Sequence, residues 1–158
     1  MIRPTVPEDT PRLLSITEGT RVFRPMEIEA LKEVLDDYHA TSHAQGHRSV
    51  TYEHEGQPIG FAYYAPAAMT DRTWYLYWIA VVKESHRRGL GGTLLGHAED
   101  DIRRRGGRVL FIETSSLPHS GGARAFYRKH GYDVGGVLKD FYGDGDDMVI
   151  FRKRLDGR

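Results

Sequence analysis

The spacing of apolar residues in the first 40 positions is close to the period of an α-helix. Leu13, Leu14 and Ile16 recur near that period, and so do the apolar residues between positions 25 and 40. Amphipathic helices place their apolar side chains on one face in this way. The pattern therefore predicts two helices, the first starting at residues 7–9 with Thr5 as its N-cap and the second over residues 25–40.

Other segments favour strands, because they are short, apolar and bounded by turn residues. Residues 48–53 and 59–64 bracket a glycine-containing turn and are typical of a β-hairpin. Residues 1–4 indicate a short edge strand. A last helix is predicted over residues 120–130, followed by two C-terminal strands near residues 132–138 and 148–154.

The centre of the chain combines a strand, a glycine-rich turn and a helix. Residues 74–82 are almost wholly apolar and rich in aromatic and β-branched types, which predicts a buried strand. A polar segment and glycines follow, and apolar residues from Leu90 to Ile102 then mark one face of a helix. Residues 109–112 predict a second buried strand that closes with Glu113. A strand–helix–strand unit of this length implies parallel strands and a right-handed crossover.

Composition narrows the class of protein. A chain of 158 residues suits one domain, which we expect to span residues 1–158. Basic and acidic residues both number 22, and the zero net charge argues against a nucleic-acid partner. The lack of cysteine excludes disulfides, thiolate nucleophiles and cysteine–zinc sites. No stretch resembles a signal peptide or is long enough to cross a bilayer, so we expect a cytoplasmic location and no membrane partner.

The turn before the central helix has the features of an anion site. Gly89, Gly91 and Gly92 open the predicted helix, whose first backbone N–H groups and dipole point towards a bound anion. Arg87 and Arg88 add positive charge beside the turn. A pyrophosphate would fit here, although the same residues also suit a tight strand-to-helix turn with solvated arginines.

A dinucleotide-binding fold is a rival interpretation of this unit. Gly89 and Gly91 lie between strand and helix, and Glu113 ends the next strand about where a ribose-binding acid would sit. Against it, Leu94 occupies the third glycine position, and six polar residues separate the strand from Gly89. The unit also starts in mid-chain, after several elements that a short nucleotide-binding domain does not need.

Two motifs together resemble a known family, the GNAT superfamily of N-acetyltransferases. Residues 81–91 resemble its acetyl-CoA motif, Q/R-x-x-G-x-G/A, at the end of a central strand. Residues 123–132 are similar to its second signature, A-x-x-F-Y-x-x-x-G-F. The order of predicted elements fits along essentially the whole chain. The departures are His86, where the motif has Gln or Arg, and Ser120, where many members carry Asn.

The resemblance implies a fold and a cosubstrate. The implied fold is α/β, with a mixed, mostly antiparallel sheet of about seven strands flanked by about four helices. Acetyl-CoA would lie between two splayed parallel central strands, with its pyrophosphate on backbone N–H groups, and no metal is implied. The residues that would bind acetyl-CoA are Val81, Val82, Arg87, Arg88, Gly89, Leu90, Gly91, Gly92 and Thr93.

Acetyl transfer to an amine by direct attack on the thioester singles out two candidate catalytic residues. The amine must lose a proton, and the departing thiolate benefits from one. The family places the tyrosine at Tyr127 beside the thioester sulfur, so it is the candidate acid; the alternative is a core aromatic. Glu113 is the candidate base, directly or through water, and partial burial would strengthen it. The alternative is a surface carboxylate. Tyr75 and Tyr77 either hold ordered water or pack within the sheet.

The acceptor is the least defined part of this function. Candidates for an aromatic wall and for charges that attract a cationic amine are Tyr63, Tyr64, Phe141, Tyr142, Asp144, Asp146 and Asp147. They favour a small-molecule primary amine. Residues 139–150 also resemble the terminus of ribosomal-protein alanine acetyltransferases and related peptide N-terminal acetyltransferases, with Phe141 to Asp147 as a loop, so a peptide N-terminus is the alternative. A non-catalytic acyl-CoA-binding module is a third interpretation.

Three histidines and three arginines form the remaining patterns. His39, His43 and His47 are spaced as if on one helical face, as in some metal sites. Gly46 interrupts that helix, so we favour a solvated helix end and predict no metal site. Residues 103–105 are interpreted as a polar helix face. A homodimer is left open.

Overall fold

The computed structural model describes residues 1–157, without the side chain of Arg87. Within these residues the chain forms four α-helices and seven β-strands, linked in places by short 3₁₀ turns. The helices are α1 (Thr10–Gly19), α2 (Pro25–Ala40), α3 (Leu90–Arg104) and α4 (Gly121–Lys129). The strands are β1 (Ile2–Pro4), β2 (Arg48–His54), β3 (Gln57–Pro66), β4 (Thr73–Val81), β5 (Val109–Ser115), β6 (Asp133–Gly143) and β7 (Asp146–Arg154).

The strands are hydrogen-bonded in the order β1-β2-β3-β4-β5-β7-β6. Strands β4 and β5 pair in parallel, whereas β1–β2, β2–β3, β5–β7 and β6–β7 pair antiparallel. The mixed, mostly antiparallel α/β fold that the resemblance implies is therefore confirmed. No helix within residues 1–157 is long and apolar enough to cross a membrane.

The chain divides into two compact units. The first comprises Met1–Ala65 with Trp78–Asp100, and the second comprises Pro66–Tyr77 with the chain from Asp101 onwards. Strand β4 and helix α3 each contribute residues to both units.

The core of the first unit lies where α1 and α2 meet strand β3. Leu13, Leu31, Leu35 and Phe61 are completely buried there. Helix α2 begins at Pro25 as predicted, because proline suits the first helical position. The backbone N–H of Arg24 also donates to the Glu27 carboxylate at 3.0 Å.

The start of α1 differs from the prediction. Residues Pro7–Asp9 form a 3₁₀ turn, and the α-helix begins at Thr10. Thr5 is not the N-cap, because it is buried and its hydroxyl bonds the Thr51 hydroxyl on β2 at 2.8 Å. Asp9 instead accepts a hydrogen bond from the backbone N–H of Val6 at 2.9 Å.

The second unit is built around β5, which pairs with β4 on one side and β7 on the other. Gly107, in the connection before β5, has to be glycine: a Cβ there would lie 2.1 Å from Ile102 Cγ2 and 2.9 Å from Trp74 Cδ1. Strand β6 extends to Gly143, so residues 141–143 belong to a strand rather than to the predicted loop. Only a tight turn at Asp144 and Gly145, where Gly145 has φ +78°, separates β6 from β7.

Candidate active site

The segment predicted to bind acetyl-CoA begins at Val81, the last residue of β4, and lies in the first unit. After a 3₁₀ turn over Lys83–Arg88, Gly89 takes a left-handed conformation with φ +74°, and α3 begins at Leu90. The backbone N–H and the hydroxyl of Thr93 both bond the Gly89 carbonyl, at 3.0 and 3.1 Å. This local fold leaves the first N–H groups of α3 without carbonyl partners within the helix, as helix geometry requires.

These free amide groups fit an anionic diphosphate, since they coincide with the positive end of the dipole of α3. Arg88 is exposed beside them, and the side chain of Arg87 lies outside the described residues. His86, the departure from the family motif, bonds the Val81 carbonyl through Nε2 at 2.8 Å. The imidazole therefore bonds the end of β4, and the hydrogen-bond donors for an anion come from the backbone.

Glu113 lies within strand β5 rather than at its end. The parallel ladder between β4 and β5 runs from Thr73↔Val109 to Leu76↔Ile112, so Glu113 is the first residue beyond it. On the other side it pairs with Ile150 of β7, and β5 continues to Ser115. The side chain is exposed, so the partial burial that would strengthen it as a base is not found.

Two tyrosines lie near Glu113, and a third lies beside one of them. The Tyr142 hydroxyl donates to Glu113 Oε2 at 3.4 Å. The rings of Tyr75 and Tyr77 are 5.5 Å apart on β4, and Tyr77 is 52% exposed. Burial, then the neighbouring Tyr75 and the charge of Glu113, raise the pKa of Tyr77 above its ordinary value. The structure therefore places Tyr77 and Tyr142 near the candidate base, with Tyr75 beside Tyr77.

Tyr127 lies on the opposite face of the sheet from Glu113. Its ring packs at 5.7 Å from Phe151 and at 5.9 Å from Tyr132. Glu113 pairs with Ile150 and points to the same face of the sheet as that residue. Phe151 is the next residue of β7 and points to the other face, because successive strand residues alternate between faces. Tyr127 is buried, and burial raises the pKa of its phenol far above the ordinary value. The hydroxyl therefore stays protonated across the physiological pH range, as a proton donor must.

A clamp that the sequence did not reveal joins the end of β5 to α4. Arg124, one turn before Tyr127, donates through Nη1 to the carbonyls of Ser115 and Leu117, at 2.5 and 2.9 Å. The Ser115 hydroxyl bonds Asp146 Oδ1 at 2.5 Å. Arg124 occupies an unspecified position of the family signature, so only its three-dimensional contacts identify this role.

Several residues proposed for the acceptor side have other roles. Tyr63 and Tyr64 are buried at 2% and 0% exposure in the first unit, so they form core rather than an exposed wall. Asp146 is buried against Ser115, because the end of β5 uses its carboxylate as an acceptor. Asp147 bonds Lys139 and the backbone of Asp140. Phe141 remains exposed at 56%, and Asp144 lies in the exposed turn.

The three histidines do not converge. His47 Nδ1 bonds the Tyr63 hydroxyl at 2.6 Å, whereas the rings of His39 and His43 pack separately against Tyr38. Among the described residues, no group of three or more His, Asp or Glu side chains is arranged to hold a metal ion.

Comparison with known proteins gives consistent matches. The model of the acetyltransferase (GNAT) family matches residues 15–132. A candidate acetyltransferase of the GNAT family from Desulfovibrio desulfuricans is 35% identical, with a TM-score of 0.93 over 98% of each chain. No curated protein matches the chain significantly.

Two more distant structures share the fold. An aminoglycoside 6'-N-acetyltransferase solved with coenzyme A has a TM-score of 0.81 at 17% identity, over 100% of this chain and 98% of that one. The ribosomal-protein-alanine N-acetyltransferase of Brucella melitensis has a TM-score of 0.76 at 23% identity, over 98% and 99% of the two chains.

Proposed function

This chain belongs to the acetyltransferase (GNAT) family, and on that premise we propose that it transfers an acetyl group from acetyl-CoA to a primary amine. The observation that carries the proposal is the position of Glu113. Its carboxylate lies just beyond the β4–β5 ladder, among Tyr77 and Tyr142, while the buried phenol of Tyr127 lies on the other face of the sheet. A proton acceptor and a proton donor thus come from adjacent elements of one unit.

Acetyl-CoA binding is assigned to the backbone of the glycine turn. The free N–H groups at the start of α3 and the left-handed Gly89 support this role, as does the exposed charge of Arg88. The residues assigned are Val81, Val82, Arg87, Arg88, Gly89, Leu90, Gly91, Gly92 and Thr93. Acetyl-CoA supplies the activated acetyl group as a thioester.

The residues of the second unit then move protons. Glu113 takes a proton from the ammonium of the acceptor, directly or through water, and so produces the free amine that attacks. The amine nitrogen bonds the acetyl carbon, the C–S bond breaks, and Tyr127 gives its hydroxyl proton to the departing sulfur, since burial keeps that hydroxyl protonated. The second proton that the nitrogen loses on becoming an amide restores the phenol. The chain has no cysteine, so direct transfer without a cysteinyl intermediate is the route that fits.

We propose a small-molecule amine as the acceptor. An exposed carboxylate with the exposed ring of Tyr77 near it suits an ammonium carried on an apolar or aromatic group. The test is thiol release from acetyl-CoA with three classes of acceptor: arylalkylamines, an aminoglycoside and a peptide beginning with alanine. Turnover of the peptide alone would replace the small amine by a peptide N-terminus. Tight acetyl-CoA binding without turnover of any acceptor would favour a non-catalytic module.

We also propose that the two compact units form one cooperative domain. The chain has two tryptophans, Trp74 in the second unit and Trp78 in the first. Trp74→Phe therefore keeps one tryptophan, in the first unit, and Trp78→Phe keeps one, in the second unit. We expect each variant to show the same urea midpoint by fluorescence as by circular dichroism. Two separated midpoints within one variant would mean that the units unfold independently.

A further inference from the structure

We propose that Tyr142 is a positioning residue for Glu113, and that an irregular segment of β6 serves to bring its hydroxyl to that carboxylate. The inference rests on the proposed function, in which Glu113 is the base. It concerns how the second unit holds this base, which neither the family match nor the sequence motifs address.

The first observation is a break in the register of β6. Leu138 pairs with Met148 of β7, and the next pair is Gly143 with Asp146. The segment from Lys139 to Tyr142, which we call the β6 bulge, therefore lies opposite the single residue Asp147. Bulges change the direction of side chains, and they are frequent next to active sites.

The second observation is that Asp147 and Asp140 hold the β6 bulge in shape. Asp147 Oδ1 accepts the backbone N–H of Asp140 at 2.9 Å, and its Oδ2 accepts Lys139 Nζ at 3.2 Å. Asp140 has φ +57°, and its Oδ1 accepts the backbone N–H of Gly145 at 2.8 Å. The Asp140 N–H and the Lys139 ammonium hold the pKa of Asp147 below its ordinary value, so this clamp persists at neutral pH.

The third observation is where the β6 bulge directs its two aromatic rings. Phe141 is 56% exposed, whereas the adjacent Tyr142 is half-buried and donates to Glu113 Oε2 at 3.4 Å. Their rings are perpendicular, with centroids 5.1 Å apart. A phenol can only donate to an ionised carboxylate. Tyr142 therefore stabilises the charged form of Glu113, limits its rotamers and leaves Oε1 to meet the acceptor.

The test is Tyr142→Phe, assayed by thiol release from acetyl-CoA with the best acceptor of the screen above. Because a donor to the charged carboxylate is lost, the acidic limb of the pH–rate profile should move to higher pH. We expect kcat/KM for the acceptor to fall about two- to fivefold near neutral pH, the effect of one hydrogen bond. Acetyl-CoA affinity and melting temperature should stay unchanged.

A measurement without turnover gives a second readout. In protein labelled with ¹³C at glutamate Cδ, the Glu113 resonance is identified by its absence from Glu113→Gln. At neutral pH its chemical shift should change in Tyr142→Phe, because the hydrogen bond to Oε2 is lost. An unchanged chemical shift would overturn the inference even if activity fell.

Two further variants separate positioning from packing. Phe141→Leu alters the same bulge but keeps the Tyr142 hydroxyl, so it should leave the limb in place. Asp147→Ala releases the bulge and should move the limb in the same direction as Tyr142→Phe. If Asp147 acts through Tyr142, the double variant should be no more shifted than Tyr142→Phe alone. Full additivity, or an equal shift in Phe141→Leu, would contradict the inference.

Failure of this inference is distinguishable from failure of the proposed base. If Glu113→Gln abolishes the limb and Tyr142→Phe leaves it in place, Glu113 remains the base and Tyr142 does not position it. If the limb persists in Glu113→Gln, the proposed base itself is wrong.

Discussion

The glycine turn and the surroundings of Glu113 differ in how the chain builds them. The turn is contiguous, from Val81 to Thr93, and its proposed donors are backbone N–H groups that any residue supplies. The cluster at Glu113 assembles side chains from β4, β5 and β6, and its geometry depends on a bulge. A backbone site tolerates a departure such as His86, whereas a side-chain site fails when one contributor moves. The first is therefore recognisable from a motif, and the second is not.

The largest expected effect is on the turn. Gly91→Asp adds a carboxylate where the pyrophosphate is proposed to bind, and we expect acetyl-CoA affinity to fall about a hundredfold to a thousandfold. Calorimetric titration measures the affinity, and circular dichroism checks that the fold is kept. The matched control is Gly96→Asp on the same helix, where an added Cβ meets nothing within 4 Å. Equal acetyl-CoA affinity in the Gly91 and Gly96 variants would mean that the motif is only a structural turn.

The next effect concerns Tyr127. Removing its hydroxyl in Tyr127→Phe should lower kcat about a hundredfold, the lower end of general acid catalysis, because a thiolate leaves fairly well unaided. Acetyl-CoA affinity should stay similar, since the ring and its packing on Phe151 remain. Steady-state kinetics beside direct binding separates the two quantities. The control, Tyr132→Phe, removes a hydroxyl from a neighbouring buried ring and should leave kcat unchanged. A loss of affinity instead would make Tyr127 a cofactor ligand.

A smaller effect is expected at Glu113, because its exposure lets solvent take over part of its work. Glu113→Gln should lower kcat/KM about tenfold and abolish the acidic limb of the pH–rate profile. The profile is measured with saturating acetyl-CoA between pH 5.5 and 9. If the limb survives, the proton leaves by another route, either through water held by Tyr75 or Tyr77 or directly to bulk solvent.

The smallest effect lies away from both regions. It separates a loss of stability at low pH from the acidic limb of the pH–rate profile. Burial lowers the pKa of His47, which bonds Tyr63. Its contribution to stability is therefore present above pH about 6.5 and is lost as the pH falls through the folded-state pKa. We expect His47→Gln to flatten the dependence of the unfolding free energy on pH between 7.5 and 5, measured in urea. The control, His54→Gln, changes an exposed histidine. If His47→Gln keeps the wild-type slope, another group causes the loss of stability at low pH.

Much of the fold was predictable because it depends on local periodicity. The bounds of α2 match the prediction, and the parallel pairing of β4 and β5 follows from the strand–helix–strand spacing. Predictions failed where one residue's partner is distant in sequence. Thr5 bonds Thr51 of β2 and does not cap a helix. Asp146 is buried against Ser115 and does not face a substrate. A side chain's hydrogen-bond partner cannot be inferred from its neighbours in sequence.

By itself the sequence determined the family, the fold and the position of the glycine turn, since motifs of contiguous residues carry all three. Only the tertiary structure decided that Glu113 is exposed beyond the β4–β5 ladder, that Tyr127 lies on the other face, and that Tyr142 reaches the carboxylate. For Tyr142, the physical reason is the register of β6 on β7. Four residues lie opposite Asp147 there, and no local pattern of apolar and polar positions specifies such a bulge.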